Sequence, residues 1–290
     1  MFKTGRKIDY KTLGLDLGVD YVRFLTGKEH LHYGIWEEGV EVCVGNLLRA
    51  QELYTEKLIS HLPEGNPLNI LDVGGGAGET ALTLSKLGHK LEIVVPSPPL
   101  AKRCEAKLGA STPVHNLGFE EYEIDRKFDI CLFSESFQYI PLEISLNKAL
   151  DVTNPGGLIL ISDCFRTPEG HRNRKKYRPV GGGHPVTRFY EEVEKAGLEI
   201  SFEDDITEMV APSIELESDF YRFIGNSIAR IDQEVKDKTP LIRGTMTSIF
   251  KSLTTEKSRE KLRQRLAGHQ RNKVEFCKNN CYLMVGMVNP

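Results

Sequence analysis

The chain has 290 residues and a net charge of −3, from 38 Lys and Arg against 41 Asp and Glu, and 40% of its residues are hydrophobic. That apolar share suffices for a packed core, and the near balance of charge gives no global field to draw in a nucleic acid. At this length the expectation is one large domain or a domain with an elaborated cap. Lys3, Arg6, Lys7 and Lys11 come early in the chain without the apolar core of a signal peptide. No uninterrupted apolar run approaches membrane-spanning length, so a cytoplasmic protein with no membrane insertion is expected. The six cysteines have no framework spacing; two lie within or beside predicted strands and read as buried free thiols. Cys277 and Cys281 lack a second pair, so no metal is expected.

In chain order, Leu31-His32-Tyr33-Gly34-Ile35-Trp36 precedes a helical stretch from about Val40 to His61, with Val44, Leu47, Leu48, Tyr54 and Leu58 on one face. The run from Asn69 to Thr80 reads as strand and glycine-rich turn, opening into a helix that stops at Gly88. A strand over Lys90–Val95, a helix ending at Gly109 and a weaker strand around Thr112–Asn116 follow. Phe128–Glu135 is a strand with a polar end, Pro141–Leu150 a helix, Asn154–Gly157 a turn and Leu158–Ser162 a strand. This alternation implies a parallel sheet with helices on both faces. Arg166 to Val186 is polar, with Arg172, Arg174, Lys175, Lys176, Arg178 and then Gly181-Gly182-Gly183-His184, and reads as a mobile loop near the ligand end of the sheet. A helix over Val186–Ala196 and a strand over Leu198–Phe202 complete the alternation. From Ile206 to Phe276 the pattern is helical: Phe220, Ile224, Ile228 and Ile231 share a face, then Leu241, Ile242, Met246, Ile249 and Leu253. Lys257–Lys273 reads as a solvated face, and Cys281–Met287 as a closing strand.

The segment Asp72-Val73-Gly74-Gly75-Gly76-Ala77-Gly78-Glu79 carries the chemistry. Glycines let backbone approach a ligand closely, and the following helix start offers free N–H groups. A dinucleotide fingerprint would need a third small residue where Glu79 stands, so that fit is poor. The Asp-x-Gly-x-Gly-x-Gly spacing resembles motif I of the class I S-adenosylmethionine-dependent methyltransferases. The phrases around Phe128-Asp129 and Asn154-Pro155-Gly156-Gly157 resemble motifs IV and V, so the likeness covers roughly Asn69 to Asp163. The His32-Tyr33-Gly34-x-Trp36 string resembles a cofactor-closing segment of the cyclopropane-fatty-acid synthase, sterol and tocopherol methyltransferase branch; the alternative is that Trp36 is simply core. The resemblance implies a Rossmann-like, doubly wound α/β fold with a seven-stranded, mostly parallel sheet and an antiparallel last strand. On this frame residues 1–62 form an N-terminal helical lid, 63–205 the cofactor-binding core, 206–276 a helical cap and 277–290 the last strand.

The resemblance implies S-adenosyl-L-methionine as cofactor, with S-adenosyl-L-homocysteine as product. It places Asp72, Gly74, Gly75, Gly76 and Gly78 around the methionyl end, with Tyr33, Trp36 and Ser134 nearby and adenine recognition near Phe119 and Glu120. The acid that usually grips the ribose is absent: the chain reads Val95-Pro96-Ser97, which leaves Ser97 as the nearby hydroxyl. A base is needed only if the acceptor carries a proton at working pH. Glu135, Tyr139, His184 and His32 are the candidates. The leading expectation is methylation of a small, partly apolar acceptor in an enclosed pocket by a monomer or homodimer. The alternatives are an RNA or protein methyltransferase using the Arg172–Arg178 cluster, and a non-catalytic S-adenosylmethionine-binding protein.

Overall fold

The structure, a computed structural model, describes residues 10–123, 126–173, 181–239 and 271–290, with isolated positions 244, 248, 255, 256 and 259 between the last two spans. Near-continuous apolar runs suit strands covered on both faces, and these runs build the centre of the sheet. The strands are β1 (Asn69–Val73), β2 (Lys90–Val94), β3 (Val114–His115), β4 (Phe128–Ser134), β5 (Thr153–Arg166), β6 (Glu199–Asp205) and β7 (Asn280–Val288). They form one seven-stranded sheet in the order β3-β2-β1-β4-β5-β7-β6. Neighbours from β3 to β5 are parallel, and β7 runs antiparallel to both β5 and β6.

Alternation along each strand feeds two cores. In β4, Ile130 and Leu132 join one, while Cys131 and Phe133 join the other. The first core is closed by Val19 of α1 (Tyr10–Thr26), Tyr54 and Leu58 of α2 (Val44–Ile59), Leu84 of α3 (Glu79–Lys86) and Leu100 of α4 (Pro98–Leu108). Val210 of α8 (Thr207–Val210), Ile214 of α9 (Pro212–Lys238) and Phe276 of α10 (Lys273–Asn279) complete it. The second is closed by α5 (Leu142–Val152) and α7 (Val186–Lys195), through Leu146 and Phe189. Among the described residues no helix is long and apolar enough to cross a membrane.

Several elements differ from the sequence expectation, each for a physical reason. Helix α1 falls in the stretch expected to be a helical lid, although no helix was placed over these residues and Gly14 and Gly18 each weaken one by about 1 kcal/mol relative to alanine. Tertiary contacts override that: Val19 is fully buried, and Asp16 and Asp20 pair with Arg103 of α4 at 2.9 and 2.7 Å. Strand β5 takes in the expected Asn154–Gly157 turn at its start and runs on to Arg166, because β7 pairs with it as far as Arg166↔Asn280. The expected mobile loop contains helix α6 (Pro168–Asn173), and its triglycine run is packed down. Gly181 N–H donates to Asn280 Oδ1, Arg166 N–H donates to the His184 carbonyl, and a side chain at Gly183 would collide with the Cys164 carbonyl. Only the start of α9 is buried; Phe220 and Ile224 are half-buried, and Ile228 and Ile231 are exposed. Arg174, Lys175, Lys176 and Arg178, the positions Leu241, Ile242, Met246, Ile249 and Leu253, most of Lys257–Lys273, and Lys3, Arg6 and Lys7 lie outside the described residues.

The segment joining α1 to α2 packs tightly at Gly34, where an added Cβ would lie 2.5 Å from that of Ala50. Gly34→Val is therefore expected to destabilise the protein by about 1–3 kcal/mol through overpacking. At Gly14 nothing lies within 4 Å of an added Cβ, so Gly14→Ala should stabilise by about 0.5–1 kcal/mol. Urea midpoints of the two variants, moving in opposite directions, check both.

Candidate active site

At the end of β1 the backbone must turn sharply into α3. Gly74, Gly76 and Gly78 adopt φ of 80°, 56° and 83°, a region glycine enters without steric penalty. Gly74 N–H donates to the Val94 carbonyl at 2.7 Å and Gly78 N–H to the Gly75 carbonyl at 2.9 Å. A side chain at Gly74 would strike Ser136, and one at Gly75 would sit 2.6 Å from both Asp72 Oδ2 and Ile93. Asp72 is 2% exposed and its Oδ2 has no hydrogen-bond partner among the described residues; burial pushes its carboxyl up to about 7. At the start of α4, Ser97 is likewise buried with an unpartnered Oγ. Buried polar atoms without partners point to a ligand that supplies them. Val95, in the position of the usual ribose acid, packs in the first core.

At the end of β4 the chain turns through Glu135, whose φ of 55° makes it the one non-glycine residue in the left-handed region among those described. Such strain is held only where surroundings over-determine it, and here three segments do. Glu135 Oε1 accepts Tyr33 N–H at 2.7 Å and the Tyr282 hydroxyl at 2.7 Å, and the Glu135 N–H donates to the Ser162 carbonyl at 2.8 Å. Burial pushes the carboxyl up to about 8, against the lowering effect of those two donors to Oε1. Tyr282 also meets Tyr54, whose hydroxyl lies 2.6 Å from Ser162 Oγ and 3.2 Å from Ser134 Oγ. In β5 beside Glu135, Asp163 is fully buried, accepts from Gln138 N–H, Gln138 Nε2 and Cys164 N–H, and is pushed by burial up to about 7.

The segment over these strand ends is tied down by charge. Lys107 of α4 bridges Glu29 at 2.9 Å and Glu79 at 2.7 Å, Glu29 N–H donates to Glu79, and Arg103 reaches Glu29 at 2.9 Å. This brings Leu31 to 3.8 Å from where a Cβ at Gly76 would stand.

The sequence-predicted residues divide accordingly. Asp72, the glycines, Ser97, Ser134, Glu135 and Tyr33 converge on the carboxyl ends of β1, β2 and β4. Tyr139 follows on a short 3₁₀ turn and is 61% exposed. His32 is buried with all its ring contacts internal: Nδ1 to the Tyr33 carbonyl, Nε2 to His30 and to Thr55. Burial holds it down to about 3. His184 Nε2 meets the Phe137 and Ile140 carbonyls, and burial lowers its ring as well. Trp36 is anchored to α8 and α9, its Nε1 donating to Ser213 Oγ at 2.9 Å and its N–H to the Met209 carbonyl. The Phe119 ring is in the second core, edge-on to Phe133. Tyr54, Tyr282, Asp163 and Leu31 were not anticipated. Tyr54 is hidden in a helical apolar stripe and Tyr282 in an apolar strand, and only tertiary register unites them.

Residues 71–161 match the family model of a methyltransferase domain. Among curated proteins no sequence matches this chain. Among solved structures, it is similar to the [4+2]-cyclase SpnF (TM-score 0.68, 15% identity, covering 97% of this chain and 96% of that one). It is also similar to the cyclopropane synthase MmaA2 from Mycobacterium tuberculosis (TM-score 0.66, 14% identity, 97% and 98% covered). A third is geranyl diphosphate C-methyltransferase from Streptomyces coelicolor A3(2), crystallised with S-adenosyl-L-homocysteine (TM-score 0.65, 13% identity, 99% and 100% covered). The chain thus has the fold of the S-adenosylmethionine-dependent methyltransferases and carries their domain signature. Together these support a methyltransferase enzyme with S-adenosyl-L-methionine as its cofactor. The residues fit that cofactor: an unpartnered buried carboxylate oxygen suits an ammonium, an unpartnered hydroxyl suits a sugar, and the glycine turn leaves no room for side chains.

Asp72 gives a signed prediction. Its folded value near 7 lies above the unfolded value of about 3.9, so unfolding releases a proton between them, and stability falls as pH rises through that window. Asp72→Asn should therefore stabilise the ligand-free protein at pH 8, by on the order of 2–4 kcal/mol, while weakening S-adenosylhomocysteine binding at least about tenfold. Thermal melts and calorimetry measure both, and undiminished binding would remove Asp72 from the cofactor site. In the wild type, affinity should drop as pH falls through about 7.

Proposed function

We propose that the protein transfers the methyl group of S-adenosylmethionine to a small, partly apolar acceptor, and that Glu135 takes the acceptor's proton. The observation that carries this reading is Glu135 itself: a carboxyl in strained backbone, gripped from two other segments, and set among the rings of Tyr33 and Tyr282. When bound, the cofactor would supply a methyl carbon activated by a sulfonium. Asp72 would hold its ammonium, the Gly74–Gly78 backbone its methionyl chain, Ser97 its ribose, and the backbone at Phe119 and Glu120 its adenine. Glu135 accepts the proton that the acceptor loses as its lone pair forms the new bond to carbon. A carboxyl near 8 is matched to that task, because a base works best with a pKa close to the operating pH. Phe276, edge-on to Tyr33, extends an apolar wall suited to the acceptor's body. Lid, core, cap and last strand are assigned as 1–62, 63–205, 206–276 and 277–290, in a cytoplasmic monomer or homodimer.

A second reading, cofactor binding without transfer, is favoured by one observation: Val95 replaces the ribose acid and is itself core. Methyl-labelled cofactor incubated with cell extract separates the two. Label transfer by the wild type supports the first reading; retained cofactor binding with no labelled product supports the second. Glu135→Gln should lower transfer by about 10²–10⁴-fold with S-adenosylhomocysteine affinity unchanged. Transfer at the wild-type rate would show that alignment alone suffices.

A further inference from the structure

Tyr282 lies in β7, far in sequence from every motif, yet its hydroxyl is 2.7 Å from Glu135. Tyr54 arrives from α2 and Ser162 from β5, and all three residues are fully buried. A hydroxyl carries one proton to donate. Tyr282 gives its proton to Glu135, so Tyr54 must be the donor across their 3.0 Å contact, and Ser162 must be the donor across the 2.6 Å contact to Tyr54. The polarity of the chain is thereby fixed: Ser162 to Tyr54 to Tyr282 to Glu135 Oε1. The His32 ring stacks on Tyr54 with centroids 4.3 Å apart and planes at 20°, pinning the middle of the chain from the lid.

We propose that Tyr282, with Tyr54 behind it, is a positioning residue for Glu135: the two donors on Oε1 saturate that oxygen and leave Oε2 as the one that receives the acceptor's proton. This rests on Glu135 acting as base. Tyr282 keeps its own proton throughout, so the step is a single transfer from the acceptor to Oε2. The donors also favour the ionised carboxylate, in opposition to burial and to the charges of Asp163 on β5 and Glu217 on α9. Tyr33 faces Glu135 from the lid, Tyr139 from the turn after β4 and Cys164 from β5; Arg271, ahead of α10, is held by Glu217 at 2.5 Å.

The test needs no acceptor. In protein labelled with ¹³C at the glutamate carboxyl carbon, the resonance lost in Glu135→Gln identifies this side chain, and its titration is followed with pH. Tyr282→Phe should raise the proton affinity of Glu135 about tenfold, as expected for one lost hydrogen bond to a carboxylate, and Tyr54→Phe should move it the same way by less. Retained S-adenosylhomocysteine binding shows that each variant is folded. If Tyr282→Phe does not fold, the Tyr54→Phe titration decides. An unmoved titration in a folded variant overturns the proposal. Wild-type transfer by Glu135→Gln would instead defeat the base assignment and leave the titration result standing.

Discussion

Three carboxyl groups, Asp72, Glu135 and Asp163, stand at or near the carboxyl ends of three adjacent strands, and burial pushes them to about 7, 8 and 7. Removing a carboxylate from water is unfavourable unless donors or cations replace the lost hydration. The three are compensated to different degrees. Asp163 accepts from Gln138 N–H, Gln138 Nε2 and Cys164 N–H, Glu135 Oε1 accepts from Tyr33 N–H and the Tyr282 hydroxyl, and Asp72 Oδ2 has no partner among the described residues. The gradient assigns their parts. Asp163 braces the turn through Gln138, Glu135 is gripped at one oxygen, and Asp72 Oδ2 is the least compensated of the three. Under the proposed reading, the ammonium of the cofactor would meet that deficit where it is largest.

The antiparallel last strand explains how β7 reaches this site. Register pairs Ser134 with Ser162 across β4 and β5, and Cys164 with Tyr282 across β5 and β7. Because β7 runs against its neighbours, its first residues, not its last, lie at the carboxyl ends of the parallel strands. The chain therefore passes through α10 and enters the sheet beside Glu135, delivering Tyr282 within two residues of Asn280. A parallel seventh strand would have placed its beginning at the opposite edge. The close fit of β7 against β6, where a side chain at Gly286 would run into the Phe202 ring, holds that register.

The legible part of the sequence was the part governed by local rules. Strand–turn–helix at Asn69–Lys86 follows from an apolar run, glycines at left-handed φ and a helix stop, and the α/β alternation follows from periodicity. The position of Glu135 just after β4, at the carboxyl ends of the parallel strands, was legible from the strand pattern. What escaped depends on distant partners. Helix α1 has two glycines against it and exists through Arg103, and Tyr54 looks like any core residue of an amphipathic stripe. His32 and His184 stand out in the sequence by their place in the lid and the polar loop, and only the fold shows that both are held by carbonyl partners. The loop reads as mobile because its polar composition cannot pack a core, whereas Gly181–Gly183 let backbone pass close to Asn280, Gln138 and Cys164.

Glu79 shows one residue settling two questions. In a dinucleotide-binding turn its place would be taken by a small residue, with phosphate oxygens drawn to the helix start. Here burial works against its charge, yet the Lys107 ammonium and the Glu29 N–H hold its carboxyl below the ordinary value, so a negative charge sits in the first turn of α3. That charge favours the helix dipole and would repel a pyrophosphate. The same carboxylate, through Lys107 and Glu29, fastens the segment that lays Leu31 beside Gly76. Holding that segment and placing a negative charge at the helix start are therefore one electrostatic arrangement.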